Sequence, residues 1–147
     1  MRIVISNSSP LLALGQIQRL DILKQLFGHI YIPDSVYQET VIKCCVPVQR
    51  EAIIKAISDF IEVVTPSVRY SFSRNLGKRE QGVLNLAIEQ SPQILLLDDK
   101  RARNEAKELG FRPFFTTDVL KLAEHQHLIV SHVAEIEKLR QFGIYLP

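Results

Sequence analysis

Residues 94–97 read Ile-Leu-Leu-Leu and run without a break into Asp98 and Asp99. Apolar side chains in unbroken succession cannot alternate between a core and water, so a strand of this kind holds only when both of its faces are covered. Parallel sheets with helices on either side meet that condition. Other short runs repeat the theme. Residues 2–6 (RIVIS) are β-branched and apolar, Ile30-Tyr31-Ile32 is ended by Pro33, residues 61–64 form a third run, and Phe114 and Phe115 suggest a last strand.

Stretches of helical period separate these runs. Asn7-Ser8-Ser9-Pro10 reads as a helix start, with hydroxyls to cap and a proline where its missing N–H costs nothing. From Leu11 the apolar residues Leu14, Ile17, Leu20, Leu23 and Phe27 continue one helix up to Gly28. Asp34 caps a second helix carrying Val36, Tyr37, Glu39 and Ile42. A connection over 44–50 leads to a third helix over 51–60, and 78–90 is a fourth. Residues 98–109 form a charged helix stopped by Gly110, and 117–124 and 131–142 close the chain. Residues 65–77 show no period and make the longest candidate loop. The alternation predicts one α/β domain over 1–147, with helices on both sides of a mainly parallel central sheet, and no repeat or linker divides it.

Composition narrows the function classes. In 147 residues, 46% are hydrophobic and 23% charged, as in a soluble domain with a full core. A formal charge of +2 is too small to establish a nucleic-acid partner, so such a partner must be argued from where the charges sit. No apolar run approaches the roughly 18 to 20 residues that span a bilayer, so no membrane is expected. The opening MRIVISNSSP makes a poor signal peptide. Cys44 and Cys45 are adjacent, which disfavours a disulfide, and two cysteines alone make no zinc site. A cytoplasmic location is the expectation.

In open parallel sheets, ligands bind beyond the carboxyl ends of the strands. That rule points to Asn7, to the residues after Ile32, and above all to Asp98 and Asp99. A carboxylate pair at a strand end can hold a hard divalent ion that keeps several waters. The plainer alternative is a helix cap, with Asp99 paired to Arg103 one turn on. Glu39 and Glu80 are further candidates, each equally readable as a surface acid, and Glu80 also suits the first turn of its helix. Asn7 offers an amide oxygen to a metal-bound water, or serves the turn before Ser-Ser-Pro. His29, His125, His127 and His132 read as surface or structural residues.

Taken together, VISNSSPLLALGQIQRLDILKQLFGHIYIPDSVYQE, LGKREQGVLNLAIEQ and ILLLDDKRARNEAKELG resemble a PIN domain. More narrowly, the chain resembles the PIN-like branch related to the toxins of VapBC-type toxin–antitoxin pairs, over nearly its whole length. The resemblance implies a three-layer α/β/α PIN-like fold and a metal-dependent endoribonuclease using Mg²⁺ or Mn²⁺. By position, its catalytic acids fall on Asn7, Glu39, Glu80, Asp98 and Asp99, and its metal ligands on Asn7, Glu39, Asp98 and Asp99. The implied partners are RNA, a small antitoxin protein and a second copy in a homodimer. Two departures stand out. Asn7 replaces the usual aspartate and removes a negative charge beside the cation, and Gly82 stands where the related helix often has a second acid. Both imply weaker metal binding.

Basic residues support an RNA partner. Arg69, Arg74, Lys78 and Arg79 lie in a stretch without acids, with Tyr70 and Phe72 among them, the mixture that neutralises phosphates and stacks on unpaired bases. Lys100, Arg101, Arg103 and Lys107 follow the aspartate pair. A solvated loop and a solvated helix face are the alternatives. Three functions compete: a metal-dependent ribonuclease, a PIN-fold module that binds RNA or a protein without cutting, and a phosphoacceptor domain. The last fits poorly, because receivers carry their acid pair after the first strand and need a separate phosphoacceptor Asp and a later Lys.

Overall fold

The computed structural model describes residues 3–147; Arg2, expected to open the first strand, lies outside them. Among the described residues there are five strands: β1 (Val4–Ser6), β2 (Ile30–Ile32), β3 (Ile61–Val63), β4 (Ile94–Leu96) and β5 (Pro113–Phe114). They form one sheet in the order β3-β2-β1-β4-β5. Every pairing is parallel, with Ser6 opposite Leu96 and Ile32 opposite Val63. The helices are α1 (Ser8–Gln16), α2 (Asp21–Phe27), α3 (Asp34–Tyr37), α4 (Pro47–Ile57), α5 (Lys78–Gln90), α6 (Lys100–Glu108), α7 (Thr116–His125) and α8 (His132–Gln141). A π-helical turn, Gln38–Ile42, continues α3.

The strand order explains the layers. From β1 through β2 to β3 the chain moves outward one way, and from β3 through β4 to β5 it moves back the other way. Right-handed crossovers then place α1 to α4 and α5 to α6 on opposite faces. The packing agrees for α1 against α4 and α7 and for α5 against α6, whereas α3, which follows the carboxyl end of β2, packs against α5. The reversal falls between β1 and β4, whose residues Val4, Ile5, Leu95 and Leu96 are fully buried. This is the unbroken apolar strand, covered on both faces as its composition requires.

Four local expectations are corrected. The single helix over 11–28 is two helices, because Gln18 adopts a left-handed conformation (φ 55°) and breaks the hydrogen-bond ladder. Pro33, not Asp34, holds the N-cap position of α3, and Asp34 is the first helical residue. The third helix starts at Pro47, where a proline suits the first turn, and ends at Ile57. Asp98 precedes α6, whose cap is Asp99.

Candidate metal centre

The strand order reverses between β1 and β4, the place where open parallel sheets bind ligands beyond the strands' carboxyl ends, and Asn7 follows β1 directly there. The Asn7 backbone N–H donates to the Leu96 carbonyl at 2.9 Å, which fixes the residue against the end of β4. Its side chain is almost wholly buried, and Nδ2 donates to Glu80 Oε2 at 2.9 Å. That bond sets the amide orientation, since the reverse placement would turn two oxygens toward one another. Asn7 Oδ1 is left buried with no hydrogen-bond partner. A buried acceptor without a donor costs stability unless something supplies positive charge or a proton.

Glu80 lies in the first turn of α5, buried, with its carboxylate folded over Gly77. Glu39 reaches the same place from the π turn. There Lys43 N–H reaches back five residues to the Gln38 carbonyl (2.8 Å), and Thr40 Oγ1 donates to the Val36 carbonyl (2.8 Å). The wider turn shifts side chains away from α-helical phase, a device common near functional sites. Ser8 Oγ donates to Glu39 Oε2 at 3.3 Å. Arg79 closes the network: Nη1 donates to Glu39 Oε1, and Nε lies 3.5 Å from Glu80 Oε2.

The two aspartates have other immediate partners. Asp98 Oδ1 accepts from the Thr116 backbone N–H and Oδ2 from Thr116 Oγ1, both at 2.7 Å. Burial pushes the Asp98 carboxyl above its ordinary range, more than the Thr116 bonds and the nearby Arg103 charge pull it down. Arg103 itself is turned inward, stacked 3.4 Å over the Phe115 ring and donating to the Leu97 carbonyl. Asp99 is exposed and caps α6, accepting from Ala102 N–H at 2.8 Å. The structure thus links Asn7 to Glu80 directly and Glu39 to Glu80 through Arg79, with Asp98 leaving the neighbouring strand two residues beyond Leu96. Among the described residues, no three of His, Cys, Asp and Glu are grouped to hold a metal ion. The donors that this hydrogen-bond network gathers are two carboxylates and an amide oxygen, a hard-oxygen set of the kind Mg²⁺ or Mn²⁺ accepts with waters completing its shell.

Gly82 has a packing role in this frame. A Cβ there would come within 2.2 Å of Ser35 Oγ and 3.4 Å of Pro33 Cβ, so the close approach of α3 to α5 leaves no room for an acid.

Beside the acids lies a cleft of about 920 Å³ between α3, the π turn, α5 and the loop after β3. Its charged lining is Lys43, Arg69, Lys78 and Arg79 against Asp34 and Glu39, a basic excess of two. Lys43 escaped sequence reasoning, as did Ser8 and Thr116. Arg74 does not line the cleft; it pairs with Glu105 (3.1 Å) and Glu108 (2.8 Å). Arg101 donates to the Asn75 carbonyl, while Lys100 stays exposed. The loop over 65–77 is pinned by helix side chains: Glu89 accepts from Ser67 and Val68 N–H, Asn85 from Tyr70 N–H, and buried Glu105 from Ser73 and Arg74. Phe72 packs against the core, whereas Tyr70 is 43% exposed.

Comparison with known proteins places this geometry. The family model described as a PIN domain matches residues 3–147. The fold is similar to a PilT N-terminus domain protein from the hyperthermophilic archaeon Sulfolobus solfataricus P2, at a TM-score of 0.62 and 24% identity, over 84% of this chain and 93% of that one. A domain of a functionally unknown protein from Methanocaldococcus jannaschii DSM 2661 aligns at a TM-score of 0.49 and 21% identity, over 78% of this chain and 91% of that one. No curated protein sequence matches the chain.

Proposed function

The chain belongs to the PIN-domain family, and on that premise we propose that it is a metal-dependent endoribonuclease whose RNA strand runs through the basic cleft. The observation that carries the reading is the unpartnered Asn7 oxygen, buried beside Glu80 at the point where the sheet order reverses. Asn7, Glu39 and Glu80 would hold Mg²⁺ or Mn²⁺, with Asp98 on the adjoining strand end. Such an ion, when bound, activates a water and offsets charge on a scissile phosphate. Lys43, Arg69 and Lys78 neutralise neighbouring phosphates along the cleft. Asp98, held in place by the Thr116 backbone N–H and hydroxyl, would orient the metal's water shell from that side. A small antitoxin protein and a second copy of the chain complete this proposal as partners.

The test is cleavage of single-stranded RNA with Mg²⁺ or Mn²⁺. Glu80→Gln and Asp98→Ala should each lose on the order of 100-fold in rate or more while remaining folded. Cleavage by both variants at the wild-type rate would refute the assignment. A second reading, RNA binding without cutting, is favoured by Arg79, whose guanidinium pairs with Glu39 and lies 3.5 Å from Glu80. Tight RNA binding with no cleavage under either metal would establish that one.

A further inference from the structure

The cation nearest the acids belongs to the chain itself. Arg79 stands next to Glu80 in sequence, in the first turn of α5, and its guanidinium reaches both carboxylates. The pairing is only partly shielded. The Arg79 side chain is 44% exposed and the Glu39 side chain 28%, so that contact is screened and exchangeable, whereas Glu80 is 7% exposed and needs a counter-charge whenever Arg79 leaves it. Arg79 lines the cleft together with Glu39, so its long side chain borders open space into which it can swing. Glu80 and Asn7, by contrast, are buried, and the Asn7 oxygen has no partner while Arg79 is in place.

We propose that Arg79 is an internal counter-cation that holds the acidic pair shut until a divalent ion displaces it into the cleft. The proposal rests on the metal-site reading above and adds regulation to it. A monovalent guanidinium satisfies Glu39 and Glu80 but leaves the Asn7 oxygen unmet. A divalent ion carries twice the charge and takes neutral oxygen ligands as well, so exchange favours it once its concentration is sufficient. The released guanidinium then joins Lys43, Arg69 and Lys78 on the cleft wall, where phosphates would lie. Metal entry and the readiness of the cleft for RNA become one event. Without metal, Arg79 also spares the fold the repulsion of two bare carboxylates.

The experiment is Mn²⁺ titration by calorimetry, with melting temperatures in chelator and in Mn²⁺, on wild type, Arg79→Gln, Arg79→Lys and Lys121→Gln. Lys121 is exposed on α7 and controls for the loss of one positive charge. Arg79→Gln should bind Mn²⁺ about tenfold more tightly than wild type, an increment in line with removing a partly screened charge. It should also melt lower in chelator and gain more from Mn²⁺. Arg79→Lys should fall between the two, and Lys121→Gln should match wild type. Equal or weaker Mn²⁺ binding in Arg79→Gln would overturn the displacement proposal and leave the metal site standing. Equal tightening in Lys121→Gln would reduce the effect to net charge and overturn it too. No Mn²⁺ binding by wild type or Arg79→Gln would remove the metal-site reading, and the proposal with it.

Discussion

Ser35 Oγ and the backbone of Gly82 meet so closely that a single methyl group decides whether α3 and α5 can pack. Gly82→Ala should therefore destabilise the fold by about 1 to 3 kcal/mol through overpacking, and adding Ser35→Gly should recover most of the loss. Denaturant midpoints check this; an unchanged midpoint for Gly82→Ala would mean that the helices separate at no cost. The same position shows what sequence position can and cannot tell. Aligned by motif, Gly82 looks like a deleted acid, whereas its neighbours show a required absence. Asn7, Glu39 and Glu80 could be picked out by their positions in the family's motif, since by residue type alone each was equally readable as a turn residue or a surface acid. Ser8, Lys43 and Thr116 could not, since a hydroxyl near a helix start or a lysine after a helix has ordinary explanations. Nor does any local signal reveal that Arg79 turns toward Glu39, which lies 40 residues away in the chain.

Among the elements, α5 and β2 were legible to the residue, because Gly77 and Pro33 bound strong patterns. The helix over 11–28 was not, because its apolar period continues in phase through the left-handed Gln18, and a period does not register one reversed dihedral. The loop over 65–77 looked free from its composition, yet it is pinned to α5 and α6. Burial pushes the Glu105 carboxyl up, but the hydrogen bonds from Ser73 and Arg74 outweigh it and leave the group below its ordinary value. A depressed folded value means that this stabilisation is present above the ordinary glutamate range and lost as pH falls through the lower folded one. Glu105→Gln should accordingly mimic acid at neutral pH. Trypsin should cut faster at Arg69 and Arg74 in the variant, while wild type should acquire the same sensitivity to an acid-active protease only below the ordinary glutamate range. Equal cutting of variant and wild type at neutral pH would assign the loop's order to other contacts, such as Phe72.

For the molecule as a whole, a charge of +2 conceals an uneven distribution: the cleft gathers Lys43, Arg69, Lys78 and Arg79 against Asp34 and Glu39, while Arg74 is spent on Glu105 and Glu108. Binding of single-stranded RNA should weaken with salt, with a log–log slope of about −0.7 for each phosphate neutralised. Arg69→Ala with Lys78→Ala should flatten that slope by about 1.4. Arg74→Ala should leave the slope alone and loosen the loop instead. Measured slopes at matched temperatures decide the matter: a change for Arg74→Ala equal to that of the cleft pair would show that the strand takes another path.

The sheet ends in β3 on one edge and in the two-residue β5 on the other, where Pro113 has no N–H to donate. Short margins of this kind give an approaching strand almost nothing to pair with. Fibril-like stacking and strand exchange are discouraged at both borders, although the middle of the sheet is as apolar as any aggregating segment. The companion protein or second copy proposed above would then be met by helices and loops, with specificity written in side chains rather than in backbone hydrogen bonds.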